Sequence, residues 1–345
     1  MTIKKISKKD MVELLLDWGR EMTVLVPSRD KGVTEMTEWD GKDISFLGWY
    51  RNTVIPTKSS FLPPVEEMFT FQKNGNGYQI EVSPGQGKRV VFGVRPCDAR
   101  AIAIMDKVFT DSHEDPYYVS KRKNTVLIGL GCTNPYDSCF CTSSGISPAE
   151  STDVDLMFTD IGDDFVIEEI TEVGKELLAT ASIVKKASQA DAVTMKKARA
   201  AVSGMVTRKV DTKNIVDKLQ ACFNDSDFWE KVAAKCVGCG VCTLLCPTCC
   251  CFDICDELFK KQGARYRTWD SCGFSSYTKM PMENPREEKW RRVRQKVCHK
   301  YEFFPMNSEV IACTGCGRCI RLCPVNWDIT EVLASVPAEQ PIKNK

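Results

Sequence analysis

The sequence predicts a mixed α+β or α/β N-terminal region, a helical segment after it, and a compact cysteine-rich C-terminal domain. Three observations predict this. Two continuous apolar runs, Val90–Val94 and Thr125–Leu130, flank a helical pattern. Residues 174–232 are rich in Ala, Lys and Val and read mainly as helix. Eight cysteines then fall into two copies of one spacing between Cys236 and Cys323. The domains that follow are 1–150 (mixed α/β), 151–232 (linking strands and helices), 233–332 (cysteine domain) and 333–345 (polar tail).

Each element has a local reason. Asp10 stands as an N-cap with Glu13 three residues on, the spacing of a capping box. Leu14, Leu15, Trp18 and Met22 then recur at helical spacing. Residues 44–84 read as short strands and turns, with Asn74-Gly75-Asn76-Gly77 between Phe71 and Tyr78 as a hairpin signal. Val90–Val94 reads as a buried strand, followed by Asp98 and a helix through Phe109, and Thr125–Leu130 as a second buried strand. Strand, helix and strand with continuous apolar strands predict a parallel βαβ unit. Residues 154–171 read as strands again.

Composition narrows the function. Of 345 residues 47 are basic and 46 acidic, so the net charge of +1 gives no reason to invoke nucleic acid or an anionic membrane. Hydrophobic residues make up 43% of the chain, as in an ordinary globular protein. No apolar run approaches the ~20 residues that span a bilayer. The start, Met1-Thr2-Ile3-Lys4-Lys5, leads into no apolar signal segment, and a cytoplasmic protein is expected. Nineteen clustered cysteines in a reducing compartment imply metal binding or redox work rather than structural disulfides. With His113 and His299 the only histidines, histidine-based zinc sites and Ser-His-Asp triads are poorly supported.

The motifs are Cys236-Val-Gly-Cys239-Gly-Val-Cys242-Thr-Leu-Leu-Cys246-Pro247 and Cys313-Thr-Gly-Cys316-Gly-Arg-Cys319-Ile-Arg-Leu-Cys323-Pro324. Both have the C-x2-C-x2-C-x3-C-P spacing of two-cluster bacterial ferredoxins, in which the fourth Cys ligates the other cluster. The expected cofactors are two 4Fe–4S clusters in a ferredoxin-like (α-helical ferredoxin) domain. One takes Cys236, Cys239, Cys242 and Cys323; the other takes Cys313, Cys316, Cys319 and Cys246. Proline after the fourth Cys suits a first helical position. Zinc ribbons would pair two C-x2-C knuckles and leave each third Cys unexplained.

Cys97, in Arg95-Pro96-Cys97-Asp98, and Cys132 each end a predicted strand, and Cys139-Phe140-Cys141 follows on a loop. In a parallel sheet these four thiols meet at one carboxyl edge, where open α/β sheets place ligands. They are the candidate ligands of a third 4Fe–4S cluster; the plainer reading is buried free cysteine. Cys249, Cys251 and Cys272 form a rival extra site. Cys222, Cys255 and Cys298 read as packing residues. The run Lys289-Trp290-Arg291-Arg292-Val293-Arg294, with Glu287 and Glu288 before it, reads as a salt-bridged helix face. No G-x-G-x-x-G occurs, so no dinucleotide site is expected in this chain. No residue is assigned as catalytic.

The order Arg95-Pro-Cys-Asp98, Asp137-Ser-Cys139-Phe-Cys141, Cys246-Pro-Thr-Cys249, Cys251-Phe-Asp253, Arg267-Thr-Trp-Asp-Ser-Cys272 and the second cysteine motif resembles two related subunits. One is the beta subunit of soluble sulfhydrogenase-type nickel–iron hydrogenases; the other is the A subunit of anaerobic sulfite reductase. The resemblance covers residues 45–332. It implies an electron-transfer subunit between a flavin subunit, which binds FAD, NAD(P)H and a 2Fe–2S cluster, and a catalytic oxidoreductase subunit. It also marks Cys97, Cys132, Cys139, Cys141, Cys249, Cys251 and Cys272 as functional positions. Cys250 and Cys255 lie outside the family pattern. The alternative is a reductase in which an extra cysteine site, or a flavin at the same sheet edge, acts on a substrate directly.

Overall fold

The structure, a computed structural model, describes residues 3–82, 85, 87–111 and 113–337. The far end of the expected tail, 338–345, therefore lies outside the described residues. The strands run in chain order β1 (Ile3–Ser7), β2 (Thr23–Asp30), β3 (Val33–Glu38), β4 (Val65–Asn74), β5 (Gly77–Val82), β6 (Arg89–Val94), β7 (Thr125–Leu130), β8 (Leu156–Asp160), β9 (Asp164–Glu169), β10 (Lys185–Lys186), β11 (Phe252–Phe259) and β12 (Gln262–Trp269). They fall into two compact units that interleave along the chain. The first holds residues 1–61, 85–208 and 314–316; the second holds 62–84, 209–313 and 317–345.

In the first unit eight strands form one sheet in the order β10-β1-β9-β8-β7-β6-β2-β3. Its centre is parallel: β2 pairs β6, β6 pairs β7 and β7 pairs β8 in that sense. Every residue of β6 is buried, which explains why Val90–Val94 is continuously apolar instead of alternating. The helix Pro96–Phe109 follows β6 as the βαβ reading predicts, and a second helix, Pro116–Lys123, completes the crossover to β7. The first of these helices starts with proline at its first position and buries Ala99, Ile102, Met105 and Phe109. Phe109 stacks on Tyr118 with ring centroids 4.6 Å apart. The helix Met11–Gly19 buries Met11, Leu14, Leu15 and Trp18. Asp10 occupies its N-cap without making a side-chain cap hydrogen bond, so the expected capping box does not form. The strands expected in 154–171 are β8 and β9, and the helical stretch contains Glu172–Ala179 and Gln189–Met205.

In the second unit a four-stranded antiparallel sheet has the order β11-β12-β4-β5. The hairpin β4–β5 turns through Gly75, with φ of 61°, and pairs Asn74 with Gly77. Its partner is β12, about two hundred positions on, so the hairpin belongs with the C-terminal residues. Arg267 on β12 donates from Nε to Glu66 Oε2 on β4 at 3.0 Å, and both side chains are buried. One face of the sheet carries Phe69 and Phe71 beside Ile80 and Val82, with Leu258 opposite Gly263. Ile80, Val82 and Leu258 are 60–69% exposed. The helices Ile215–Cys222, Ser226–Ala233 and Lys289–Cys298 complete the unit around Trp229, whose indole N–H donates to the Cys222 carbonyl at 2.9 Å.

Candidate metal centre

The two cysteine motifs fold alike because their glycines occupy matching positions. Gly238 and Gly240 have φ of 71° and 73°, and Gly315 and Gly317 have φ of 61° and 73°. These left-handed residues wrap the backbone around the thiols, and each second glycine starts a one-turn helix, Val241–Leu244 or Arg318–Arg321. At Gly240 a Cβ would come within 2.5 Å of the Phe274 ring.

Cys236, Cys239, Cys242 and Cys323 line one cavity of the second unit together with Lys296 and Trp327. Two backbone amides point at these sulfurs: Gly238 N–H donates to Cys236 Sγ at 3.4 Å and Trp327 N–H to Cys323 Sγ at 3.2 Å. Four thiols from both motifs around one hollow, with N–H donors to sulfur, fit a cubane held by thiolates.

Around Cys246 the surroundings are polar and buried. Lys300 Nζ lies 3.2 Å from Cys246 Sγ, and donates to Thr248 Oγ1 at 2.9 Å and the Ala312 carbonyl at 3.1 Å. Burial alone would lower the Lys300 pKa, but the facing Cys246, Cys249 and Cys313 sulfurs hold it well above its ordinary value. Tyr301 beside it is buried, and its hydroxyl faces Cys313; burial and that sulfur push its pKa up. Lys300 and Tyr301 sit on a single π turn, His299–Phe303, that continues the helix Lys289–Cys298. Single π turns of this kind are frequent at functional sites. Sequence reasoning missed Lys296, Lys300 and Tyr301. The available signal was the four-residue spacing of two lysines around the apolar pair Val297 and Cys298.

The other candidate set lies in the first unit. Cys97 does not end β6 but sits in the first turn of the helix Pro96–Phe109, where it accepts from Asn52 Nδ2 at 3.7 Å. Cys132 lies two residues past β7. Arg95, fully buried, ties the two strand ends together: Nη1 donates to the Leu130 carbonyl at 3.0 Å and to Gly131, while Nε donates to the Arg51 carbonyl at 2.8 Å. No carboxylate pairs with this guanidinium in the hydrogen bonds that hold it. Cys141 is buried, and its thiol is pushed up to about 12 by that burial and by the neighbouring Cys132 and Cys139. Cys132, Cys139 and Cys141 thus come together, with Cys97 one strand over on the same edge.

The loop that carries Cys139 and Cys141 rests on Gly315 of the same unit. Phe140 N–H donates to the Gly315 carbonyl at 2.8 Å, and Cys139 Sγ lies 3.7 Å from the Cys316 carbonyl. The rival cysteines divide into two pairs. Cys249 faces Cys246, and Cys251 faces Cys272. The Cys272 contact draws the Cys251 thiol down to about 6 despite its burial, with the Tyr277 hydroxyl adding to that effect. Cys222 and Cys298 are buried, as packing residues are, whereas Cys255 is exposed on β11 opposite Tyr266, so its expected packing role is not met. Within the basic run, Arg291 pairs with Glu288 at 2.7 Å, while Arg292 spends its guanidinium on backbone carbonyls of Gly273 and Arg286.

Fold and thiol pattern define a 4Fe–4S dicluster protein, and residues 235–327 match the family model of the 4Fe-4S dicluster domain. Across 290 residues the chain is 32% identical to "Sulfhydrogenase 2 subunit beta" of Pyrococcus furiosus, covering 83% of this chain and 84% of that protein. The chain belongs to the sulfhydrogenase beta-subunit family. No solved structure matches it. Among the described residues, no helix is long and apolar enough to cross a membrane.

Proposed function

We propose that this chain relays electrons inside a multi-subunit oxidoreductase, between a flavin subunit that oxidises or reduces NAD(P)H and a catalytic subunit such as a hydrogenase or sulfite reductase. The observation that carries the reading is the cavity lined by Cys236, Cys239, Cys242 and Cys323, thiols drawn from both motifs of a dicluster family. By the same crossing, Cys313, Cys316, Cys319 and Cys246 hold the second cluster; the thiols at the sheet edge, Cys97, Cys132, Cys139 and Cys141, hold a third.

When bound, 4Fe–4S clusters supply one-electron carriage, with potentials set by burial, charge and hydrogen bonds to sulfur. The chain's own residues do the rest. Gly238 and Trp327 amides orient their sulfurs. Buried Lys296 and Trp327 close the inner side of the Cys236, Cys239, Cys242 and Cys323 cavity, and the guanidinium of Arg95 places positive charge at the sheet edge beside Cys97. No side chain needs to act as acid, base or nucleophile. The exposed apolar face of Ile80, Val82 and Leu258 supports an assembly with partner subunits, since such faces mark interaction sites.

The test is reduction of the isolated, cluster-loaded chain under anaerobic conditions. Dithionite should bleach its visible absorbance, whereas NAD(P)H should not unless a flavin subunit is added. Direct reduction by NAD(P)H alone would overturn the division of labour.

A further inference from the structure

The helix Lys289–Cys298 and the turn after it carry six cationic side chains, Lys289, Arg291, Arg292, Arg294, Lys296 and Lys300. Four have ordinary surface duties. Lys289 reaches the Ala234 carbonyl, Arg291 pairs with Glu288, Arg292 binds carbonyls, and Arg294 lies over the Phe223 ring at 3.9 Å. Lys296 and Lys300 differ. They are four residues apart, so they share one helix face, and they are 5% and 4% exposed.

A buried ammonium needs an anion, because removing it from water costs several kcal/mol. Neither lysine forms a salt bridge with a carboxylate among the described residues. Glu302, the nearest acid in sequence, faces Cys298 and Arg294 instead. What the two lysines do face is sulfur. Lys300 Nζ lies 3.2 Å from Cys246 Sγ. Lys296 lines the cavity of Cys236, Cys239, Cys242 and Cys323. Its ammonium faces Cys242 of one set and Cys319 of the other, and lies 4.4 Å from the Trp327 ring centroid.

We propose that Lys296 and Lys300 are fixed counter-charges that set the reduction potentials of the two clusters: Lys300 acts on the cluster holding Cys246, and Lys296, standing between the sets, acts on both. The inference rests on the cluster assignment proposed above. Each electron added to a thiolate-held cluster adds negative charge in a low-dielectric site. A positive charge at contact distance stabilises that reduced state and raises its potential. Both lysines are positioning residues, and neither needs to gain or lose a proton.

The experiment is an EPR-monitored redox titration of the full chain, purified anaerobically, with iron counted on every sample. Lys300→Met should shift one of the two one-electron steps to lower potential by at least tenfold in the reduction equilibrium, about 59 mV for a one-electron couple. The other step should stay within threefold. Lys296→Met should lower both steps. Lys296→Arg and Lys300→Arg, which keep the charge, should return toward wild type. Iron-replete Met variants that titrate like wild type would overturn the proposal, as would Arg variants that shift as far as Met. Where a Met variant holds no iron, an Arg variant that does hold it supports a charge requirement; loss of iron from both assigns the lysine to packing and overturns the proposal. Wild-type protein without iron would remove the underlying cluster reading, an outcome the iron count distinguishes from the others.

Discussion

The amide of Phe140 donates to the carbonyl of Gly315 at 2.8 Å, joining the loop of Cys139 and Cys141 to the middle of the second cysteine motif. These residues lie 175 positions apart in sequence and belong to the same compact unit. A third cluster on that loop would therefore sit beside Cys316, a ligand assigned to the second.

This contact makes Gly315 hard to replace. Its φ is 61°, and a Cβ there would meet the Cys141 nitrogen and the Phe140 carbonyl carbon at 2.6 Å. Gly315→Ala should destabilise the fold by more than about 2 kcal/mol, combining left-handed strain with a backbone clash. Gly145→Ala has a similar φ of 71° but open space around it, and should cost only about 1 kcal/mol. Thermal unfolding of the two variants side by side checks the difference; equal melting temperatures would contradict the close approach.

Metal content separates clusters from zinc. The two repeated motifs should bring about eight irons and eight sulfides per chain, and a third cluster about twelve of each. Anaerobic iron and sulfide analysis with zinc measured in parallel gives the count. Stoichiometric zinc with little iron would end the cluster reading.

The crossing of ligands has its own signature. Cys246 follows the first motif in sequence, yet we place it on the cluster of Cys313, Cys316 and Cys319. Cys246→Ala should perturb that cluster first, leaving the cluster of Cys236, Cys239, Cys242 and Cys323 spectroscopically intact. Loss confined to the latter would contradict the assignment.

For the third site the informative variant is Cys139→Ser with Cys141→Ser. It should lose about four irons per chain on the cubane stoichiometry. Full retention of wild-type iron and spectrum would move the extra site to Cys249, Cys251 and Cys272.

The second unit depends on an ion pair that links distant parts of the chain. Arg267 and Glu66 are both buried and joined at 3.0 Å. Glu66→Ala strands the guanidinium without its anion and should cost about 3–5 kcal/mol. Replacing both residues together, Glu66→Leu with Arg267→Met, should recover much of that loss, because two apolar groups leave no buried charge. Denaturant unfolding of the single and double variants measures it.

What the sequence determined by itself is what depends on near neighbours. The spacing of each cysteine motif, with glycine where a left-handed turn is needed, dictates the same backbone twice because a tight loop is set by its own few residues. The parallel βαβ unit was equally legible, since the central strands bury both faces and their runs Val90–Val94 and Val126–Leu130 are therefore continuously apolar. Tertiary structure decided the partnerships. The hairpin signal marks the β4–β5 turn but cannot say that β4 pairs with β12, for register is chosen by what the whole sheet buries. The basic run before Cys298 likewise reads as a solvated helix face, and Arg291 with Glu288 behaves that way. That Lys296 and Lys300 turn inward follows only from packing that helix against the thiols, where the lysine charge finds the anions that its own segment does not provide.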